Sequence, residues 1–479
     1  MDSWQAAGIL ALAAGLPLAL LLRRQERLLL LWICITTGVN VFDARVGVNL
    51  PAARLVGLIV LAFVPLGALH VRRLLRTRPL QLIAVQMLHL IVLGIVFGVL
   101  FPWSDAGFVR GVSQSAQGRV IVYMIRILAD LGIVLFVARQ IHRGLSPVRL
   151  MNYVLAGTTL AAVGGLLELV THVQIYQLVT GYPITIVGGR VRGFNYEPRG
   201  LGLAMTHGAF ISLLMYAYLR QRRYLWLTLL HAAVLAVSVS ASAIIAAGAT
   251  GLALLIMEER VRRPLALMSG TVAGAIVLTL VAGTQLPIVQ TYTANFAQRF
   301  SVQDAVDFAV LTPVEVVASF LDIFDYTAFM FLASSPLHAL VGTGPGLVML
   351  PGSNFIPTAA RWSWVGQSGE GITSLPSMGV LLEIANGGVL GLLLWVAIVA
   401  SCVRALRRCA VWDPARAAEW RIARGALIVA AAAYAVQLSP LAATWPIFVG
   451  VGVGAAALQL VPREQTRGAL TSLAPLSQA

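Results

Sequence analysis

The sequence contains no lysine: all 34 basic residues are arginine. That absence excludes Schiff-base catalysis and the phosphate-cradling lysine of a P-loop, both of which need a primary amine. Cysteine is nearly absent too, and Cys34, Cys402 and Cys409 show no CxxC spacing, so neither a disulfide framework nor a structural zinc site is indicated. Acidic residues are scarce, 19 against the 34 arginines, and charged residues make up only 11% of the chain. Apolar residues fill the space: 59% of the 479 residues are hydrophobic and the mean hydropathy is +0.86, well beyond the composition of a soluble multidomain protein. The composition is that of a polytopic membrane protein. The net charge of +15 does not argue for a nucleic-acid partner, because the arginines sit in short clusters between apolar runs and not along a basic stripe.

Those clusters set a topology. The first apolar run, Ala6 to Leu22, is followed by Arg23, Arg24 and Arg27, which predicts a retained first span with its C-terminal end in the cytoplasm and not a cleaved signal peptide. Further spans are expected at about 28–41, up to His70, up to Pro102, at 119–137 and at 150–171, with arginine clusters at the cytoplasmic turns. Another runs from Gly200 to Leu219. Tyr224 to Met257 is flanked by clusters on one side and therefore reads as two short spans turning near Ser238, Ser240 and Ser242. Leu265 to Thr284 and Ser377 to Val403 follow, then a cytoplasmic loop from Arg404 to Arg424 and a final pair. The expectation is an all-α polytopic integral membrane protein of about 12–13 transmembrane helices, with a large outside loop containing short amphipathic helices. Its divisions are an N-terminal bundle (1–172), an arginine-rich outside loop (173–199), central helices (200–284), the large outside loop (285–376) and C-terminal helices with a cytoplasmic tail (377–479). On this assignment 24 arginines are cytoplasmic and nine outside, with Arg126 inside a span, so the positive-inside rule is obeyed.

The outside arginines are the ones that topology does not require. Arg190, Arg192 and Arg199 lie in the stretch VGGRVRGFNYEPRGLGLAMTHG (Val187 to Gly208), beside Tyr196 and Glu197, and Arg299 and Arg361 lie in the large loop. That loop also carries spaced acids at 304, 307, 315, 322 and 325, which charge alternation assigns to a solvated helix face. A glycine turn, GTGPG (Gly342 to Gly346), follows as a backbone bend. After it comes a polar and aromatic run with Asn354, Arg361, Trp362, Trp364, Gln367, Glu370 and Thr373, suited either to stacking on sugar rings or to anchoring in the headgroup layer. Two helical spacings invite pairing, Arg126 with Asp130 and Glu168 with His172, each four apart; the alternatives are a contact to lipid phosphate or glycan for the first pair and helix-end solvation for the second. His207 and His231 are lone histidines on apolar helices and read as packing residues.

Three of these segments carry a family resemblance. PSMGVLLEIANGGVLGLLLW (Pro376 to Trp395), with Gly388 and Gly391 as its G-x-x-G, resembles the closing signature of the O-antigen ligase and polymerase superfamily. FNYEPRGLG (Phe194 to Gly202) is similar to that family's aromatic-x-x-EP element, and GTGPG to its glycine-rich turn. The resemblance covers residues 185–400. It implies a glycosyltransferase acting on lipid-linked glycans at the periplasmic face of the bacterial inner membrane, with the membrane-embedded glycosyltransferase C-type fold. The chain departs from the ligase pattern in one respect: Ser377 and Met378 stand where a His-Asn pair opens the signature, and His338 belongs to a different context. The resemblance therefore implies a polymerase of O-antigen, capsule or exopolysaccharide repeat units, with an O-antigen ligase acting on lipid A core as the alternative.

The chemistry follows from the residues. Arginine forks bind pyrophosphate oxygens bidentately and stabilise the charge that a polyprenyl-pyrophosphate leaving group develops. The expected substrate-binding set is Arg190, Tyr196, Arg299, Arg361, Trp362 and Trp364, and the catalytic set Arg192, Arg199, Glu197 and Glu370, with Glu197 the first candidate for general base and Glu370 the second. An outside DxD pair or His/Asp cluster is missing from the sequence, so no metal or cofactor is expected. Expected partners are the polyprenyl-pyrophosphate-linked oligosaccharide, membrane lipids and a chain-length regulator. The rival class is a flippase for lipid-linked oligosaccharides, which internal repeats would favour; the chain has no visible repeat.

Overall fold

The computed structural model describes residues 8–9, 11–42, 44–46, 48–64, 71–103, 115–181, 191–195, 197–238, 240–266, 323–352, 355, 376, 378–436 and 444–460. Among them the chain is helical apart from one short strand pair. A π-helical turn, Ala11–Gly15, leads into α1 (Leu16–Leu22), followed by α2 (Glu26–Gly38), the strands β1 (Ala44–Val46) and β2 (Val48–Leu50), and α3 (Ala52–Phe63). Then come α4 (Val71–Leu74), α5 (Arg78–Ile95), α6 (Ala116–His142), α7 (Pro147–Thr171), α8 (Ile175–Thr180), α9 (Pro198–Leu219), α10 (Arg222–Val237) and α11 (Ala241–Met257). Beyond the next gap lie α12 (Ile323–Ser334), α13 (Pro336–Val341), α14 (Met349–Gly352), α15 (Gly379–Trp412), α16 (Ala417–Val436) and α17 (Thr444–Leu458).

Among the described residues, five helices are long and apolar enough to cross a membrane: 78–100, 116–142, 147–171, 198–219 and 379–412. Several shorter apolar helices accompany them, as expected for an all-α, multi-pass membrane protein. The pair of helices expected on either side of a serine turn is present as α10 and α11, and the turn is built by Ser240, whose hydroxyl accepts from the Ala243 amide as the α11 N-cap. One boundary differs from the sequence reading. The segment from Arg404 is no loop: α15 runs on to Trp412, because Arg404, Arg407 and Arg408 are good helix formers at the end of an apolar helix. Between the span expected at 28–41 and the one ending near His70 the chain forms the β1–β2 hairpin, paired antiparallel with Val46 opposite Val48. The span expected at 265–284 lies, after residue 266, outside the described residues.

The helices pack through small residues. A Cβ at Gly57 would collide with the Ala129 carbonyl and one at Gly132 with the Gly57 carbonyl, so α3 and α6 touch backbone to backbone. At Gly38 a Cβ would come within 2.8 Å of Gly157, which puts the end of α2 against the middle of α7. Gly157 is 14 residues before Thr171, the end of α7. The chain leaving α2 therefore turns back roughly 21 Å short of that end, at about 1.5 Å per residue. Irregular backbone at such a depth is tolerated where protein buries it or where it borders a water-filled cavity. The first condition holds here. Val39, Asn40 and Val41 are buried, while Asp130, halfway along α6, keeps 27% of its side chain exposed. That exposure is not toward lipid. At about 100° per residue, Tyr123, Arg126 and Asp130 lie on the opposite side of α6 from the exposed Ile121, Ile125 and Leu128. The polar side of α6 thus borders a partly accessible recess within the bundle, along the half of α6 away from the arginine clusters.

Candidate functional site

Polar groups converge at two places on that side of the molecule. The first stands in front of α9. Pro198 at the first helical position fixes the start of the helix, and Glu197 is its half-buried N-cap residue, without a side-chain capping bond. Just before it the chain turns at Gly193, which has a φ of +56°, and at this turn Glu168 of α7 receives the backbone amides of Arg192 (3.2 Å) and Gly193. The Arg192 guanidinium lies 3.6 Å from the same carboxylate. Glu168 thus clamps the loop by charge and by two backbone donors, and the expected pair with His172 does not form. His172 instead ends α7 in the left-handed conformation, its amide donating to the Glu168 carbonyl.

Arg192 is 3% exposed, and its Nε and Nη1 have no hydrogen-bond partner among the described residues; the Nδ2 of buried Asn195 is in the same condition. Buried donors of this kind are uncommon enough to require an account. Arg199 is half-buried in the first turn of α9. The structure therefore brings Arg192, Glu197 and Arg199 into one short loop and helix start, with Glu168 as the counter-charge of Arg192. The other expected site residues, Arg190, Tyr196, Arg299, Arg361, Trp362, Trp364 and Glu370, lie outside the described residues.

The second place joins two of the sequence motifs. Gly388 breaks α15 with φ 66° and ψ −164°, and a Cβ there would strike the Leu340 carbonyl. Against this break sits the GTGPG turn, where Gly342, at φ +97°, lies so close that a Cβ would be 2.7 Å from the Asn386 carbonyl oxygen. The break releases carbonyls from the helical ladder, and donors meet them. Ala385 O accepts from the Thr343 amide (2.7 Å) and hydroxyl (2.8 Å), and Gly387 O lies 2.9 Å from His89 Nε2 of α5. Asn386 locks the junction by accepting from the Gly346 amide (2.9 Å) and donating to the Tyr123 hydroxyl of α6 (2.7 Å). The start of α15 is fixed from α12, where Asp325 accepts from the Met378 amide at 2.9 Å. Asp325 is 3% exposed, so this member of the acid series does not solvate an outer face.

Around this junction the recess is lined with charge. Asp130 is held by Arg54 of α3 through Nε (2.9 Å) and Nη2 (3.0 Å), a bidentate pair that displaces the expected Arg126–Asp130 pair. Glu383, in the second turn of α15, accepts from the Tyr434 hydroxyl (2.7 Å) and Gln86 (3.0 Å). At the outer margin, His338 of α13 sits among the rings of Trp103, Phe331 and Phe97 at 5.1, 5.5 and 5.9 Å between centroids, with Nδ1 2.6 Å from the Ser335 hydroxyl. Partial burial lowers its pKa and keeps the ring neutral at pH 7. His207 and His231 bond backbone carbonyls of their own helices, Leu203 O at 2.8 Å and Leu227 O at 2.6 Å, as packing residues do. Among the described residues no group of three or more His, Cys, Asp or Glu side chains is arranged to hold a metal ion.

No family model and no curated protein matches this chain. The sequence reading passed over Arg54, Tyr123, Glu383, Asn386 and Tyr434. The signal that would have found them is their position: polar residues inside apolar spans are costly to bury, and they mark functional or structural sites by default.

Proposed function

We propose that the protein is a polymerase of polyprenyl-pyrophosphate-linked oligosaccharide repeat units, acting at the periplasmic face of a bacterial inner membrane. The observation that carries this reading is a polar recess within an apolar bundle, with buried arginine donors that none of the described groups satisfies. An anionic leaving group attached to a membrane lipid is the kind of ligand that needs both.

In this reading the acceptor hydroxyl oxygen attacks C1 of the donor sugar. The C1–O bond to pyrophosphate breaks, polyprenyl pyrophosphate leaves, and the hydroxyl proton passes to the Glu197 carboxylate, with inversion at C1. Arg192 and Arg199, with Arg190, Arg299 and Arg361 from the neighbouring loops, neutralise the departing phosphates, and Tyr196, Trp362 and Trp364 stack on sugar. Glu370 is the second candidate for the base. Glu168 holds Arg192 in place, which makes it a positioning residue.

The test is incubation of the purified protein with a lipid-pyrophosphate-linked oligosaccharide and electrophoresis of the products. A ladder of longer lipid-linked chains is the expected result. Consumption only when lipid A core is added would replace the reading with a ligase, and no consumption in either case would favour a flippase.

A further inference from the structure

The recess contains a cation that the described residues around it do not explain. Arg126 lies in the first half of α6, 10 residues from the Ala116 end, on the face that carries Tyr123 and Asp130 and away from the exposed Ile121, Ile125 and Leu128. Its charged and phenolic neighbours are Arg54, Asp130 and Tyr123. Asp130 is occupied by both prongs of Arg54, and Tyr123 receives Asn386. Glu383, the other acid of this region, is held by Tyr434 and Gln86. Arg126 is left with no acceptor among the described residues, and its Nε is buried without a partner. Four other buried or half-buried arginines face acids: Arg54 with Asp130, Arg139 with Glu26, Arg192 with Glu168 and Arg424 with Glu258. An unneutralised guanidinium at membrane depth is expensive to keep unless an anion joins it.

We propose that Arg126, backed by Arg54, forms a phosphate-binding site in the recess, separate from the arginines in front of α9, and that its ligand is a phosphate group carried by a lipid. The recess supplies the geometry: Arg126 lies three residues, about one helical turn, beyond Tyr123, where the GTGPG turn and the α15 break meet. A guanidinium there reaches a phosphate whose lipid tail stays among the apolar helices, and its planar fork suits phosphate oxygens. The site rests on the polymerase reading and deepens it by giving the donor or acceptor lipid a second phosphate contact, but binding is measurable without chain growth.

The test uses the full-length protein in a neutral detergent, with melting midpoints read for the wild type, Arg126→Met and, as a second variant, Arg126→Lys. The probes are undecaprenyl pyrophosphate, phosphatidylglycerol and inorganic pyrophosphate. Without ligand, Arg126→Met should melt no lower than the wild type, because an uncompensated charge has been removed. Undecaprenyl pyrophosphate should raise the wild-type midpoint, raise that of Arg126→Met by clearly less because only the arginines in front of α9 then hold it, and act to an intermediate extent on Arg126→Lys, with the apparent Kd for the methionine variant up by roughly tenfold or more. The same pattern with phosphatidylglycerol alone would keep the site and assign it to bulk lipid; with inorganic pyrophosphate alone, the lipid part of the proposal fails. Equal ligand shifts in wild type and Arg126→Met, or a lower ligand-free midpoint for the methionine variant, overturn the site. Binding that depends on Arg126 without any chain elongation leaves the site standing and sinks the polymerase reading.

Discussion

The two ends of the bundle treat charge differently. At the arginine-rich end, acids that are wholly or partly buried meet cations. Glu26 is met by Arg139 at 2.8 Å, Arg143 at 3.3 Å and Gln140 at 2.6 Å, Glu258 by Arg424 at 2.7 Å and the Tyr218 hydroxyl at 2.8 Å, and Glu419 by Arg416 at 3.1 Å and Ser146 at 2.7 Å. These pairs staple neighbouring helices together. At the opposite end, among the described residues, Glu383 has only neutral donors, Arg126 has no acid, and Arg192 keeps two unpartnered nitrogens despite Glu168. Folding alone would favour the first arrangement throughout, since unmatched buried charge costs stability. The difference is one of degree, since Arg73 Nε and Arg139 Nε at the first end are also buried without a hydrogen-bond partner among the described residues, and it rests mainly on Arg126, which has no acid of its own among them.

Substitutions can sharpen or break that contrast. The largest effect is expected at Gly388→Ala, where a side chain meets the Leu340 carbonyl and the backbone has a positive φ. A loss of about 3 kcal/mol or more should appear as failure to accumulate folded protein, and near-normal melting would mean that the helix break is not fixed by the GTGPG contact. Glu168→Gln comes next. It leaves the buried Arg192 without counter-charge, at a cost of about 3 kcal/mol. On the proposed polymerase reading, chain elongation should fall further than stability does, and a double-mutant cycle with Arg192→Ala should show strong coupling; additive effects would argue against the clamp. Glu258→Gln should cost somewhat less, about 2 kcal/mol, because Arg424 retains some access to solvent, and it should leave synthesis per folded molecule unchanged. If activity fell with it, the two ends would not differ in role. Arg143→Ala should be nearly silent, under about 1 kcal/mol, since that side chain is 47% exposed and Glu26 keeps Arg139.

Much of the fold was legible. Hydropathy located the long apolar helices, because burial in lipid is decided segment by segment. The serine turn between α10 and α11 was visible for the same reason. Pairings were less legible. Arg126 and Asp130 share a helical face at the right spacing, yet Asp130 bonds Arg54, 76 residues away, and Glu168 takes Arg192 instead of His172. Spacing along a helix says which partners are possible, and packing against a second helix chooses among them. The site was half legible: Arg192, Glu197 and Arg199 stand out in the sequence, whereas Arg54 looks like one more outside arginine until α3 is packed on α6.

The sequence by itself determined that this chain is a helical membrane protein and where most of its long helices run. These properties are local: apolar length, charge clusters and turn residues act within a few residues of themselves. The tertiary structure alone decided that α2 turns back against the middle of α7, that GTGPG seats on the break at Gly388, and which described arginines are left without an acid. Those outcomes depend on close backbone approach at Gly38, Gly57, Gly132 and Gly157 and on competition between donors far apart in the chain, and neither is recorded in any one stretch of sequence.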